Sequence, residues 1–195
     1  MDINADLGEW YGRRNLEVER SIMPFLTSCN VACGFHSGDA YTIEQTIKIA
    51  LQHKVKIGAH PSFPDREGFG RRMMKVSKAE LKAILRYQIG ALKSMTESLG
   101  GFLHHVKAHG ALYNWAMKDE KTAFALVEVV KSMDEKLIIY GKFTGYGLQN
   151  NLMASVKEHP FWLHCLDIAV NIKAKEHTKQ LYNGAIKVPT LFVDG

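Results

Sequence analysis

The sequence alternates short apolar runs with longer segments of helical period, and this alternation constrains the fold more than any other feature. The short runs, bounded by glycine, proline or polar residues, predict strands at 3–6, 28–35, 55–59, 103–108 and 137–141, with weaker candidates at 161–168 and 185–193. Strands that alternate with helices are typical of βα units, whose strands are mostly parallel. The pattern therefore predicts an α/β protein, and a length of 195 residues favours a single domain over 1–195.

Three of the predicted helices have recognisable starts. Ser77 and Glu80 form a capping box at the start of the longest one, which closes on a pair of glycines. Asp39 and Asp119 are the predicted caps of two others. Apolar residues recur at spacings of three and four in each, so each helix should pack one face against the sheet.

Charge and composition exclude some classes of protein. The net charge is +5, but no block of five or six like charges appears, which argues against nucleic-acid binding. The start "MDINADLGEW" is unlike a signal peptide and no run of eighteen apolar residues follows, so we expect a cytoplasmic protein without a membrane span. Cys29 and Cys33 would lie roughly 13 Å apart on one strand, too far for a disulfide or a shared metal. We expect them to be small buried residues.

Polar side chains follow four consecutive predicted strands at their carboxyl ends. In parallel sheets the loops at this edge converge, so these side chains should meet around one cavity. Taken singly, Asp39 is adequately explained as a helix cap, and Lys107 and Glu9 as ordinary loop residues. The set comprises Asp6 and Glu9, His36 and Asp39, His60, and Lys107 and His109, while His53, His104, His105, His159, His164 and His177 are assigned to surface or core.

Two chemistries fit this set of side chains. Asp6, His36, His60 and His109 could hold a divalent metal, although no local spacing such as H-x-x-x-H supports it. The same groups could act as general acid, general base and electrophile without a metal. Both alternatives remain open from the residues alone.

The stretch "GAHPSFPDREGFGRR" at 58–72 predicts an anion-binding loop. Pro61 and Pro64 stiffen it, and the glycines at 68 and 70 would let backbone N–H groups approach a ligand. Arg71 and Arg72 follow directly, and guanidinium groups recognise carboxylate or phosphate. The ligand should therefore be an anion, with Arg71 the better candidate of the two.

Five ordered motifs resemble one family. "DINADLGE", "SCNVACGFHSGD", "IGAHPSFPDREGFGRR", "YQIGAL" and "HVKAHGALYN" are similar to signatures of the LamB/YcsF family of lactam utilization proteins and 5-oxoprolinase A subunits, over about 2–141. The resemblance implies a distorted seven-stranded (β/α) barrel of the glycoside hydrolase/deacetylase type. It also implies the reaction of 5-oxoproline, ATP and water to L-glutamate, ADP and phosphate, with ATP as co-substrate and subunits B and C as partners.

The resemblance implies roles for the rim residues. Asp6 or Glu9 would activate water, Lys107 would offset charge on the carbonyl oxygen, and the three histidines His36, His60 and His109 would position or protonate the amide. Substrate-binding candidates are Asn4, Asp39, Gly68, Gly70, Arg71 and Arg72.

The last part of the chain departs from the family pattern. Residues at roughly 146–195 lack the late "FADR" and "GxLxxR" motifs, which predicts a shortened or divergent C-terminal part. The alternatives are therefore a metal-dependent amide hydrolase or deacetylase, with Asp6, His36 and His60 or His109 as ligands, and an inactive binding scaffold. A homo-oligomer is also left open.

Overall fold

A computed structural model describes residues 2–10, 16–140, 142–144 and 147–149. Its main sheet has five parallel strands in chain order, so each strand pairs with the next one along the chain. The strands are β1 (Asn4–Leu7), β2 (Ser28–Ala32), β3 (Lys56–His60), β4 (Leu103–Val106) and β5 (Ile138–Ile139). The predicted parallel α/β architecture is confirmed.

Helices connect these strands in the way that βα units require. They are α1 (Leu16–Ile22), followed by a 3-10 turn (Met23–Phe25), then α2 (Ala40–Gln52), α3 (Lys78–Ser98), α4 (Gly110–Ala116) and α5 (Glu120–Met133). Beyond β5, two short strands, β6 (Lys142–Thr144) and β7 (Gly147–Gln149), form an antiparallel pair. Among the described helices, none combines the length and the apolar character needed to cross a bilayer.

The capping signals placed three helices correctly. The Ser77 hydroxyl accepts from Glu80 N while the Glu80 carboxylate accepts from Ser77 N, and Asp39 and Asp119 cap α2 and α5. Helices α1 and α4 were not predicted, because each has only seven residues and α4 starts without a side-chain cap. The β6–β7 pair was not predicted either.

Strand β2 ends earlier than predicted. It stops at Ala32 instead of continuing to 35, because Gly34 has φ +82° and breaks the extended backbone. The described part of the chain contains five parallel strands, so the seven-stranded barrel stays a prediction. The candidate strands at 161–168 and 185–193 lie outside the described residues, and the single domain over 1–195 also stays a prediction.

The two faces of the sheet differ in chemistry. Helices pack against the face that carries residues such as Val31 and Ile57, and the core between them is closed by Leu85, Ile89 and Val129. Side chains on the other face of β1, β2 and β4 are polar: Asn4 and Asp6, Ser28 and Asn30, and His105. This polar face leads directly to the carboxyl edge of the sheet.

The two described cysteines are both free and buried, as predicted. Burial raises the pKa of Cys29, and it raises the pKa of Cys33 to about 12. Both thiols therefore stay protonated at neutral pH and are poor nucleophiles.

Candidate active site

Four side chains meet at the carboxyl edge of the sheet, and we call them the histidine–glutamate cluster: Glu9, His36, His60 and His109. Each comes from a different βα unit. Glu9 and His36 lie in the loops after β1 and β2, His60 is the last residue of β3, and His109 precedes α4. Their potential ligand atoms all lie within 4.8 Å of one another. The structure thus brings these predicted site residues together.

Glu9 is the centre of the cluster. His36 Nε2 lies 2.8 Å from Glu9 Oε1, and the same oxygen is 3.7 Å from His60 Nε2 and 3.5 Å from His109 Nδ1. The rings of His36 and His109 stack in parallel with centroids 3.8 Å apart. Among the described residues, Glu9 supplies the carboxylate of the group that could hold a metal ion. The sequence had instead favoured Asp6 as the carboxylate ligand.

Backbone carbonyls fix how two of the imidazoles are protonated. His60 Nδ1 lies 2.6 Å from the carbonyl oxygen of Lys107, and His109 Nε2 lies 2.9 Å from that of Phe69. A carbonyl can only accept, so both of these ring nitrogens carry a hydrogen. The remaining nitrogens, His60 Nε2 and His109 Nδ1, then face each other at 3.0 Å. Two lone pairs at this distance repel, so the arrangement is suited to a proton or another cation between them.

Asp6 stands beside the cluster with its two oxygens in different environments. Oδ1 accepts from Lys107 Nζ at 2.7 Å and from Asn30 Nδ2 at 2.6 Å. Oδ2 faces His60 Nε2 at 3.4 Å. Oδ1 is therefore held by two donors, while Oδ2 is turned toward the histidines. Asn30 was not identified from the sequence.

Charge interactions set the ionisation of the site. Burial opposes ionisation of Asp6, but His60 and Lys107 outweigh it and hold the pKa of that carboxyl well below its usual range. Burial likewise opposes ionisation of Glu9, yet His36 and His60 lower its pKa. Burial lowers the pKa of His36, and burial together with the neighbouring histidines lowers the pKa of His109 to about 4. At neutral pH the site thus holds two carboxylates and at least two uncharged imidazoles.

Most backbone N–H groups of the 65–72 loop donate within the loop. Asp65 accepts from Gly68 N at 3.0 Å and from Arg72 N at 3.2 Å, and its backbone oxygen accepts from Gly70 N at 2.7 Å. The amides of Phe69 and Arg71 also bond within the loop. The amides of Gly68, Phe69 and Gly70 thus already have acceptors within the loop, and anion binding by Gly68 and Gly70 stays a prediction.

The two arginines of the loop have different surroundings. Arg72 pairs with Asp65, with its Nε 2.9 Å from Oδ1, and this pairing lowers the pKa of Asp65 to about 2. Arg71 lies on the exposed side with its guanidinium 5.2 Å from the centre of the Phe69 ring, and that ring contacts His36 and His109. Arg71 is thus the arginine placed next to the cluster, and Arg72 holds the loop in shape.

Glycine at position 70 is required by packing. Gly70 has φ +64°, and a Cβ there would lie 2.9 Å from His36 Cβ and 3.0 Å from His109 Cδ2. The loop can therefore close behind the two stacked rings only when this residue has no side chain.

Asn4 and Asp39 lie outside the cluster. Asn4 Nδ2 donates to Ser28 Oγ at 2.7 Å, within the polar face of the sheet and two residues before Asp6. Asp39 accepts from Thr42 N at 2.9 Å as the cap of α2. The structure gives both residues structural partners.

Two buried side chains that the sequence did not single out hold the loops of the site. Glu19 accepts from Gly8 N at 2.6 Å and from Trp10 Nε1 at 2.7 Å, so it fixes the segment on both sides of Glu9. Gln88 accepts from Ser62 N at 3.0 Å and donates to Ser62 O at 2.8 Å, which fixes the segment after β3. Both residues lie within helices, where only a buried polar position could have indicated their role.

Comparisons with known proteins agree with this architecture. Residues 1–156 match the LamB/YcsF family. The chain is 48% identical over 141 residues to the A subunit of 5-oxoprolinase from Bordetella pertussis, covering 72% of this chain and 56% of that protein. It is 50% identical to the corresponding 5-oxoprolinase chain of Geobacillus thermodenitrificans, over 72% of this chain and 55% of that protein.

A solved structure has the same fold. The lactam utilization protein from Thermus thermophilus matches with a TM-score of 0.66 and 45% identity, covering 71% of this chain and 56% of that one. The chain thus spans a little over half the length of the relatives it matches. On the strength of the family match over residues 1–156 and of these identities, the chain belongs to the LamB/YcsF family.

Proposed function

We propose that this chain takes part in the hydrolytic opening of a lactam ring, with 5-oxoproline as substrate, as the A component of a multi-subunit enzyme. The names of its relatives, which describe a 5-oxoprolinase component and a lactam utilization protein, support a role in this chemistry. The observation that carries the proposal is the meeting of two carboxylates, three imidazoles and Lys107 at one edge of the sheet. These are the groups needed to activate water and to protonate an amide nitrogen.

The reaction assigns a role to each group. Water adds to the ring carbonyl carbon, the ring C–N bond breaks, and the nitrogen takes a proton, which yields a free amine and a new carboxylate. Asp6 Oδ2 or the Glu9 carboxylate accepts the proton of water. A proton held between His60 Nε2 and His109 Nδ1 would go to the departing nitrogen. Lys107, 2.7 Å from Asp6 Oδ1, stabilises negative charge on the carbonyl oxygen.

ATP and partner subunits belong to the same proposal. A five-membered lactam is an unstrained amide with a poor leaving group, so coupling to ATP would supply driving force and give ADP and phosphate with the product glutamate. Subunits B and C would assemble with this chain, and the described sheet would form part of a seven-stranded barrel. Arg71, exposed beside the cluster, would bind the carboxylate of 5-oxoproline.

An assay of ATP-dependent glutamate release from 5-oxoproline, run with and without the partner subunits, tests this proposal. His60→Gln should lower the rate by about 100-fold or more, because it removes the imidazole that would deliver the proton to the departing nitrogen. His53→Gln, an exposed histidine at the end of α2, is the matched control and should leave the rate unchanged. Equal rates for the two variants, or no turnover with all subunits present, would refute the assignment. The second result would favour a binding scaffold.

Metal-assisted amide hydrolysis is the second candidate, and the opposed lone pairs of His60 and His109 favour it. In both rings the N–H of the other nitrogen donates to a backbone carbonyl, so the unprotonated nitrogens, His60 Nε2 and His109 Nδ1, face the cluster. Histidines that bind metals are commonly oriented by such a hydrogen bond. Glu9 and His36 would complete the ligand set. A bound divalent metal would polarise the amide carbonyl and make water more acidic.

Metal content measured on the purified protein, as isolated and after incubation with Zn²⁺, separates the two candidates. One equivalent of metal that is lost in Glu9→Gln and kept in His53→Gln would support the metal route. Binding of less than a stoichiometric amount in the unaltered chain would exclude it.

A further inference from the structure

A row of side chains crosses the polar face of the sheet just below the cluster. Asp6 on β1 is in register with Asn30 on β2, Asn30 with Gly58 on β3, and Gly58 with His105 on β4. Hydrogen bonds join three of these four positions. Asn30 Nδ2 donates to Asp6 Oδ1 at 2.6 Å, and His105 Nε2 lies 2.7 Å from Asn30 Oδ1.

Gly58 makes this row possible. Its strand separates β2 from β4, and a Cβ at position 58 would lie 2.0 Å from His105 Nε2. The imidazole therefore crosses β3 through the space that the missing side chain leaves, and reaches Asn30 on the far side. Tyr140 stacks on the imidazole with ring centroids 3.8 Å apart, which fixes the plane of the ring.

The direction of each hydrogen bond follows from the partners. A carboxylate oxygen only accepts, so the Asn30 amide must turn its nitrogen toward Asp6 and its oxygen toward His105. His105 must then carry its hydrogen on Nε2. Its Nδ1 is left as an acceptor, and His104 Nδ1 lies 3.2 Å away to donate to it. Complete burial lowers the pKa of His105 well below its ordinary value, which agrees with an uncharged ring.

We propose that Asn30 and His105 are positioning residues for Asp6, which hold its carboxylate so that Oδ2 faces His60. This inference rests on the proposed function for its kinetic part only. Without the His105 donor, Asn30 Oδ1 keeps only the longer 3.3 Å contact from Asn4 Nδ2 among the described residues, so the Asn30 amide is held less firmly against Asp6 Oδ1. Lys107 would then be the one firmly placed donor of the two that hold this oxygen, and the carboxylate could rotate away from His60.

Substitutions at position 105 separate positioning from packing. His105→Phe keeps a flat ring against Tyr140 but removes the donor, whereas His105→Gln can place an amide N–H where Nε2 was. We expect His105→Phe to lower kcat by roughly 10- to 100-fold with KM nearly unchanged, because a displaced catalytic group costs rate more than binding. His105→Gln should keep most of the kcat. Equal kcat values for the unaltered protein and His105→Phe would overturn the proposal.

Gly58→Ala provides a second way to break the hydrogen bond between His105 and Asn30. Its added methyl group displaces the imidazole without removing any hydrogen-bonding group, so it should reproduce the kcat loss of His105→Phe. Gly90→Ala on α3 is the control, since a Cβ there meets only the flexible end of Met133 at 3.1 Å. A kcat for Gly58→Ala that matches Gly90→Ala would contradict the proposed role of the row.

A spectroscopic measurement tests the hydrogen bonds between His105, Asn30 and Asp6 without any assay of turnover. In a protein labelled with ¹⁵N-histidine, His105 should show the neutral form with hydrogen on Nε2, and the side-chain amide signals of Asn30 should shift in His105→Phe but return in His105→Gln. Hydrogen on Nδ1, or a charged imidazole at neutral pH, would overturn the hydrogen-bond assignment. Should the unaltered protein show no lactam hydrolysis, the proposed function would fail while these spectra would still decide the network.

Discussion

Replacing Gln88 by leucine should destabilise the protein through one loop contact. Gln88 and Ser62 are both fully buried, and the Gln88 amide satisfies the N–H and the C=O of Ser62 at 3.0 and 2.8 Å. Leucine has a similar size but no polar atoms, so both backbone groups would lose their partner in a dry environment. Each unsatisfied group costs about 1–3 kcal/mol, which gives a loss of about 2–6 kcal/mol in the free energy of unfolding.

Urea denaturation followed by circular dichroism measures this loss. With a slope of about 2 kcal/mol per molar urea, the midpoint should fall by about 1–3 M. Gln52→Leu, the same substitution at an exposed position near the end of α2, is the control and should change the midpoint little. A Gln88→Leu midpoint equal to that of the control would mean that the Gln88 contact does not hold the segment after His60.

Three further predictions concern the loop and the histidines. Gly70→Ala should cost about 1–2 kcal/mol from the left-handed backbone alone and should lower turnover by displacing His109, and thermal denaturation with the lactam assay measures both effects. The pKa of His109 is about 4 in the folded protein and about 6.5 in an unfolded chain, so between pH 4 and pH 6.5 this residue is protonated in the unfolded chain but not in the folded one. Stability should therefore fall as pH drops from about 6.5 to about 4, by at most about 1.4 kcal/mol per pH unit from this group, and less steeply in His109→Gln. Asp65→Asn removes the charge that holds Arg72, so trypsin should cut the 65–72 loop faster, while Glu67→Gln removes only the longer 3.5 Å contact of an exposed side chain with Arg72 and should change the rate much less.

The sheet and the cluster could be predicted because both depend on patterns that a sequence displays. Apolar runs between turn residues identified the five strands, and capping residues placed the starts of α2, α3 and α5. Parallel strands converge at their carboxyl ends, so His36, His60 and His109 could be expected to meet although they are far apart in the chain. The short helices α1 and α4 lacked such signals.

The supporting residues could not be identified, because their role depends on neighbours that only the folded chain supplies. Asp65 accepts hydrogen bonds from backbone amides of its own loop, and no residue spacing in the sequence predicts this. Glu19 and Gln88 lie within helices and hydrogen-bond to loops that are distant in the sequence. One signal was present in the strands. Polar and apolar residues alternate in β1 and β2, which is unusual for parallel strands that are buried on both faces. This alternation is a sequence signal for a polar face that leads to Asp6.

The origin of the cluster from four βα units has a consequence for biosynthesis. Glu9 and His36 are separated by 27 positions and His60 and His109 by 49, so no single segment of the growing polypeptide holds the whole cluster. Such distant pairs come together late, after nearer ones have formed. A nascent chain that stops before His109 would therefore lack one member of the cluster, and the cluster can be completed only after the fourth strand has left the ribosome and docked on the third.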